Sequence, residues 1–317
     1  MHCAERAEPL RPLETQCGIQ ITEIVSLNTK LPIGIFDSGI GGLTVVRQIH
    51  KALPHEDLVY LGDTARVPYG TKSPGTVVRF AYEDTAFLLR QNVKAVVVAC
   101  NTASAWALPT LEKRFRVPIF GVILPGVQAA LEATRSRRIG VIATTATIRS
   151  RAYSNGLLAR CDTAKVFARA CPLLVPLVEE DWLDHRVTRD VLREYLTPLR
   201  RHRIDTLILG CTHYPLLKPA IRGVLGRGVK LVDSAESCAR YVRERLQNLG
   251  LLTKSRRRAG AIQPFVTDEP DRFAEMAERF LQTRCEQARR VDLESAFQPS
   301  LGMPASSLRD GLPALTF

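Results

Sequence analysis

The 317-residue sequence has no hydrophobic run long enough for a membrane span or a secretory leader, and its first 30 residues interleave Glu5, Arg6, Glu8, Arg11 and Glu14 with apolar positions. That predicts a cytoplasmic protein with no membrane partner. Low-complexity tracts are missing and aromatic content is only 6%, which excludes fibrous classes and leaves no signature of a disordered chain. Eight cysteines, at 3, 17, 100, 161, 171, 211, 238 and 285, include no Cys-x-x-Cys pair and no dense cluster. A zinc ribbon or a disulfide-stapled secreted domain is thereby excluded, and the cysteines read as reduced thiols. No Gly-Lys-Ser/Thr ending and no complete Gly-x-Gly-x-x-Gly occur, so neither a nucleotide P-loop nor a dinucleotide fingerprint is present.

What is there is a chain of globular composition, 45% hydrophobic and 24% charged, long enough for two domains with separate cores. Its net charge of +12 and the basic runs Arg135–Arg138, Arg200–Arg203 and Arg256–Arg258 raise the question of nucleic acid. Each run falls at the expected edge of an apolar strand or helix, where arginines also suit a helix C-terminus. A nucleic-acid partner is not expected. The positive field would draw a small anion such as a dicarboxylate.

Short, continuously apolar segments alternate with stretches of helical period, the pattern of an α/β protein with buried parallel strands. The first set is Ile33–Phe36, Leu58–Leu61, Ala95–Ala99 and Ile119–Val122; the second is Ile139–Ala143, Lys165–Ala168, Leu207–Gly210 and Lys230–Val232. Between the first two, Leu43, Val46, Ile49 and Leu53 share a helix face, with His50 expected at the surface. The sets resemble each other. Each has an apolar strand running into a cysteine and polar residues: Val98-Ala99-Cys100-Asn101-Thr102 and Leu209-Gly210-Cys211-Thr212-His213. A duplicated half-protein follows.

The expected fold is two pseudo-symmetric, doubly wound α/β domains with mostly parallel sheets and the active site in the cleft between them. The expected units are 31–124 plus 234–285, and 125–233. They are flanked by an N-terminal extension (1–30) and a loose C-terminal tail (286–317). Ligands of open α/β sheets bind at the carboxyl ends of strands, where Cys100 and Cys211 both lie.

A thiol between a strand and a helix start meets free N–H groups that favour the thiolate. Alone, such a cysteine is more often a small core residue, but the repeat-related pair favours function. Asp37 and Ser38 open a glycine-rich turn, Asp37-Ser38-Gly39-Ile40-Gly41-Gly42, that either cradles an anion or simply packs tightly. Asp63 opens a second polar loop, in which Tyr69 and Gly70 either present a backbone amide to a carboxylate or only redirect the chain. His213 lies two residues from Cys211, within reach of proton exchange. With no second histidine or cysteine at ligand spacing nearby, a metal site is not expected. Glu179 follows an apolar run and reads either as a site acid or as an exposed helix-start carboxylate.

Four strings together resemble the glutamate racemases of the aspartate/glutamate racemase superfamily: Ile35-Phe36-Asp37-Ser38-Gly39-Ile40-Gly41-Gly42-Leu43, Gly62-Asp63-Thr64-Ala65-Arg66-Val67-Pro68-Tyr69-Gly70, Ala99-Cys100-Asn101-Thr102-Ala103-Ser104 and Gly210-Cys211-Thr212-His213-Tyr214-Pro215. Weaker likeness lies at Thr144 through Ser150 and Tyr153, at Cys171 through Glu179, and at Val232 through Ala235. The likeness runs from about Pro32 to about Leu281, and both ends exceed what the family needs.

The resemblance implies interconversion of L- and D-glutamate, supplying D-glutamate for peptidoglycan, without pyridoxal phosphate or metal. One cysteine as thiolate removes the α-proton and the other as thiol protonates the opposite face. It further implies that Cys100 serves the D-enantiomer with help from Asp37, and Cys211 the L-enantiomer with help from His213 and Glu179. Ser38, Asn101, Thr102, Thr212, the amides of Tyr69 and Gly70, and with them Asp37, His213, Thr144 and Thr147, would hold substrate. A homodimer is usual in the family. Two alternatives remain: an aspartate racemase of the same superfamily, and a basic protein that binds nucleic acid or a DNA enzyme.

Overall fold

The computed structural model describes residues 28–255, 258–285 and 287–293. The strands are β1 (Ile33–Asp37), β2 (Leu58–Gly62), β3 (Ala95–Val98), β4 (Ile119–Gly121), β5 (Arg138–Ala143), β6 (Lys165–Ala170), β7 (Thr206–Gly210), β8 (Lys230–Asp233), β9 (Ile262–Val266) and β10 (Arg289–Arg290). The helices are α1 (Leu43–Ala52), α2 (Pro74–Arg90), α3 (Asn101–Trp106), α4 (Leu108–Arg114), α5 (Ile123–Ala133) and α6 (Thr145–Ser150). They continue with α7 (Ala152–Leu158), α8 (Leu174–Glu179), α9 (Arg186–Arg201), α10 (Lys218–Leu225), α11 (Ser234–Asn248) and α12 (Pro270–Leu281).

The strands form two sheets, ordered β10-β9-β2-β1-β3-β4 and β6-β5-β7-β8, and every pairing is parallel. Adding four to each strand number of β2-β1-β3-β4 gives the second sheet, so the repeat seen in the sequence is a repeat of topology. Two α/β domains result. The central strands β1, β2, β3 and β7 are buried along their whole length, as their unbroken apolar runs require of a sheet covered on both faces. The edge strand β6, which carries Lys165 and Arg169, is only partly covered.

After β8 the chain returns to the first sheet. Helix α11 packs on α1, β9 pairs with β2, and α12 packs on α1. Covering α1 from two sides has a local consequence. His50, expected at the surface, is half-buried, and its Nδ1 is buried without a partner. Part of the stretch expected as a loose tail is instead built into the fold: Arg289–Arg290 extends the first sheet beside β9, and the flanking Ala288 and Leu293 are buried. Apolar anchors on both sides of a two-residue strand hold it to the sheet edge. The rest of the expected tail, 294–317, and 1–27 of the expected N-terminal extension lie outside the described residues.

In each sheet the strand order reverses between the first strand of the repeat and its third, that is between β1 and β3 and between β5 and β7. Connections leave in opposite directions there, which opens a crevice at the strand carboxyl ends. Cys100 follows β3 and Cys211 follows β7. Among the described residues no helix is long and apolar enough to cross a membrane.

Candidate active site

The two sets of strand ends face each other, and side chains bond across the gap. Thr102 Oγ1 of α3 lies 2.9 Å from Thr144 Oγ1 and 3.0 Å from Thr147 Oγ1, and the latter two are 3.0 Å apart. Tyr153 donates its hydroxyl to Asn101 Oδ1 at 2.7 Å, and Trp106 Nε1 donates to the carbonyl of Ala146 at 3.1 Å. On the other side, Thr44 Oγ1 lies 2.9 Å from the carbonyls of both Gly41 and Thr212. Its single proton is shared between the turn after β1 and the turn after β7. That approach explains Gly41. A Cβ there would lie 2.3 Å from Thr212 Oγ1 and 2.4 Å from His213 Nδ1, closer than any side chain tolerates.

Cys100 is buried at the N-cap of α3, where its sulfur accepts from Ala103 N–H at 3.5 Å and lies 3.7 Å from Ser38 Oγ. The thiol donates to Ser38, and the helix-start amide was expected to favour the thiolate. The amide is outweighed. Burial, and after it the negative charge of Asp37, push the Cys100 thiol up to about 12. A donor at 3.5 Å from a large sulfur returns little of the hydration that burial removes. Asp37 is itself fully buried. Its Oδ2 accepts from Gly39 N–H at 3.3 Å and Gly42 N–H at 3.0 Å, while Oδ1 has no partner. Burial raises its proton affinity above the ordinary carboxylate range, against the pull of nearby His213 and the two amides.

Cys211 sits in a different field. Its sulfur lies 3.9 Å from His213 Nδ1, and His213 Nε2 is 2.9 Å from Glu179 Oε1. Burial disfavours the imidazolium, but the Cys211 sulfur on one ring nitrogen and the Glu179 carboxylate on the other outweigh it and raise His213 to about 10. In Glu179, burial opposes the charge, but hydrogen bonding to His213 prevails and holds the carboxyl below its ordinary range. Glu179 was read as either a site acid or an exposed helix-start carboxylate. It stands at the end of α8, partly buried, on the histidine.

Of the other expected residues, Thr212 is buried with its Oγ1 3.4 Å from His213 Nδ1. The Tyr69 hydroxyl shares its one proton between Asp63 and, at 2.8 Å, Asp84. The next residue, Gly70, lies beside the threonine cluster, where a Cβ would be 2.8 Å from Thr144 Cβ. Thr44 and Tyr60, which donates to the carbonyl of Gly39 at 2.6 Å, were not singled out in the sequence. Their role is set by contacts between distant segments. Among the described residues no group of three His, Cys, Asp or Glu side chains is placed to hold a metal ion. A cavity of about 190 Å³ adjoins the site where Gly39, Ile40, Val67, Glu179, Arg272 and Met276 meet.

Residues 33–242 match the family model for Asp/Glu/Hydantoin racemases. The glutamate racemase of Geobacter metallireducens is 51% identical over 263 residues, 83% of this chain and 97% of that protein. The chain belongs to the glutamate racemase family. A crystal structure of a glutamate racemase isoform from Bacillus anthracis has a TM-score of 0.80, 40% identity and coverage of 84% of this chain and 98% of that one. A second, the Francisella tularensis glutamate racemase in complex with D-glutamate, has a TM-score of 0.79, 39% identity and coverage of 84% and 99%.

In this member of the glutamate racemase family, the His213–Glu179 pair ties stability to pH. His213 binds its proton more tightly folded than unfolded, so its contribution is complete below pH 6.5 and is lost as pH rises through about 10. Glu179, held low, contributes above the ordinary glutamate range and loses that contribution as the solution is acidified through its folded value. Urea unfolding should therefore show His213→Gln less stable than the native chain at pH 6, with the gap narrowing by pH 10.

Proposed function

We propose that this chain interconverts L- and D-glutamate without a cofactor, using Cys100 and Cys211 as the two acid–base groups, and that it works in the cytoplasm supplying D-glutamate for peptidoglycan. The observation that carries the reading is the placement of two thiols at equivalent switch points of two repeat-related sheets whose strand ends face each other. A racemase needs proton exchange on both faces of one carbon, and a duplicated half-site provides it.

The two thiols have different neighbours. Cys100, pushed up to about 12, is a thiol and thus the acid. Cys211 lies 3.9 Å from His213 Nδ1, and in this reading it is the base toward L-glutamate. With L-glutamate bound, the Cys211 sulfur takes the α-proton, and the electron pair left on carbon delocalises into the carboxylate. Cys100 then delivers its own proton to the opposite face. The two sulfurs have exchanged protonation states, which is the state that D-glutamate requires. Burial and then Asp37 raise the proton affinity of Cys100, while His213, held by Glu179, stands beside Cys211 as its proton partner.

The barrier is steep, because a thiol near ~8.5 in water is a weak base toward an α-carbon. Fixed donors in a closed, water-poor site lower it by neutralising charge as it develops on the substrate carboxylate. Ser38, Asn101, Thr102, Thr212, the Tyr69 and Gly70 amides, Thr144 and Thr147 are the groups assigned to that task. The reading takes 31–124 with 234–285 and 125–233 as the two units that enclose the substrate, and takes the working form as a homodimer.

A substrate panel tests the assignment: the purified protein should invert glutamate and leave aspartate largely untouched. Preference for aspartate would overturn it. Binding of nucleic acid is disfavoured by the engagements of the arginines. Arg137 donates to Thr163 at 2.6 Å, Arg138 to the carbonyl of His202 at 2.6 Å, and Arg258 pairs with Asp57 at 2.6 Å.

A further inference from the structure

Glu179 is the last residue of a six-residue helix. So short a helix does not hold its own end, since isolated helices several times longer are marginal in water. Its final carbonyls also lack partners within the helix. Yet the carboxylate of Glu179 must stay on His213 Nε2 for the ring to face Cys211. Something outside α8 fixes this turn.

The structure places Arg279 there. From α12, Arg279 donates from Nη2 to the backbone carbonyl of Glu179 at 3.1 Å and pairs through Nη1 with Asp181 Oδ1 at 3.0 Å. The next residue, Phe280, is fully buried and meets the His213 ring edge to face, with centroids 5.5 Å apart at 84°. One turn of α12 thus holds both members of the Glu179–His213 pair, one by its backbone and the other by its ring. Further along the same helix Phe273 stacks on Tyr60, whose hydroxyl donates to Gly39 in the turn that carries Asp37. Helix α12, packed on the first domain, therefore reaches both halves of the cleft.

We propose that Arg279 is a positioning residue for the Cys211 side of the site, acting through the backbone of Glu179 to keep that carboxylate on His213. The idea rests on the racemase reading for its effect on activity, but not for its effect on the histidine. The ion pair with Asp181 is partly exposed, with side-chain exposures of 30% and 60%, and such pairs add little stability. What the guanidinium supplies is a planar fork joining a carbonyl and a carboxylate, which a lysine ammonium does not reproduce.

The groups facing His213 are Cys211 after β7, Glu179 on α8 and Asp37 on β1, with Phe280 as the apolar wall from α12. Arg272, also on α12, acts on Glu179 through its charge. Of these, only the Glu179 contact depends directly on Arg279.

The test compares the full-length native protein with Arg279→Ala, Arg279→Lys and Asp181→Ala. Racemisation of glutamate, thermal unfolding and the NMR titration of the His213 ring are followed in each. In Arg279→Ala, kcat/KM should fall roughly 10- to 100-fold, as for a sub-ångström to ångström displacement of a catalytic group. The His213 midpoint, about 10 in the native chain, should move down by about one pH unit or more as its carboxylate drifts away. The melting temperature should fall by no more than about 4 °C. Arg279→Lys should show a smaller change in the same direction, and Asp181→Ala, which keeps the carbonyl contact, the smallest. An unchanged His213 midpoint in both Arg279 variants overturns the proposal, whatever happens to activity or melting. If the native protein leaves glutamate untouched while the midpoint still moves in the variants, the racemase reading fails and the positioning role of Arg279 stands.

Discussion

Cys100→Ala and Cys211→Ala should each lower kcat for glutamate racemisation by about 10²–10⁴-fold, the usual contribution of a positioned acid or base. The losses should be equally severe in the L-to-D and D-to-L directions, because each turnover uses one sulfur to remove a proton and the other to return one. Both side chains are small and buried, and alanine would strand only long contacts: the Ala103 amide at 3.5 Å and Ser38 Oγ at 3.7 Å for Cys100, and the imidazole at 3.9 Å for Cys211. The variants should therefore fold.

The two losses should nevertheless differ in kind. With Cys100 gone, Cys211 and its imidazolium remain, so α-hydrogen exchange with solvent on L-glutamate should survive without inversion. With Cys211 gone, any residual exchange should be on D-glutamate. Chiral analysis of the glutamate pool together with deuterium content at the α-carbon separates these outcomes. Racemisation that persists in either alanine variant would remove that cysteine from the mechanism.

Gly41→Ala should be nearly as damaging to activity while leaving both cysteines in place. Its added methyl would lie 2.3 Å from Thr212 Oγ1 and 2.4 Å from His213 Nδ1, so the turns after β1 and β7 must separate. Thr44, which shares its proton between the two turns, would lose one of its acceptors. Overpacking of this sort costs about 1–3 kcal/mol of stability. The histidine is displaced from the sulfur it faces, and a shift of about an ångström at a catalytic group costs roughly 10²-fold in rate. Denaturant unfolding and steady-state kinetics on the same preparation should show a modest fall in stability and a much larger fall in kcat. A variant with native kinetics would mean that the two turns are not held together as the geometry has them.

Much of this was legible before the fold was seen, for a physical reason. A parallel strand buried on both faces must be apolar without interruption, so Val96-Val97-Val98 and Leu207-Ile208-Leu209 announce themselves, and the polar residue types that follow them mark the strand ends. Cys100 and Cys211 could be found in that way, and their repeat relation follows from the matching strand order of the two sheets.

The partnerships were less legible, because they join segments far apart in the chain. Glu179 reads as a helix-terminal acid until His213 is placed on it from 34 residues away. Arg279 lies on a helix outside every motif, and its target is a backbone carbonyl, which no residue type encodes. The two-residue strand Arg289–Arg290 carries no apolar alternation and shows only in the buried Ala288 and Leu293 beside it. The charge state of Cys100 ran opposite to the local expectation. A helix start argues for a thiolate, but the depth of burial and the neighbouring carboxylate of Asp37 are properties of the folded chain.

The most direct test of the two-thiol account is to follow the native protein converting L-glutamate in heavy water and to read the α-carbon of the first D-glutamate formed. If one sulfur removes the proton and the other delivers its own, that product carries deuterium from its earliest appearance while the remaining L-glutamate is still largely protiated. D-glutamate that retains the original α-hydrogen would mean that a single group carries the proton from one face to the other, and would contradict the account.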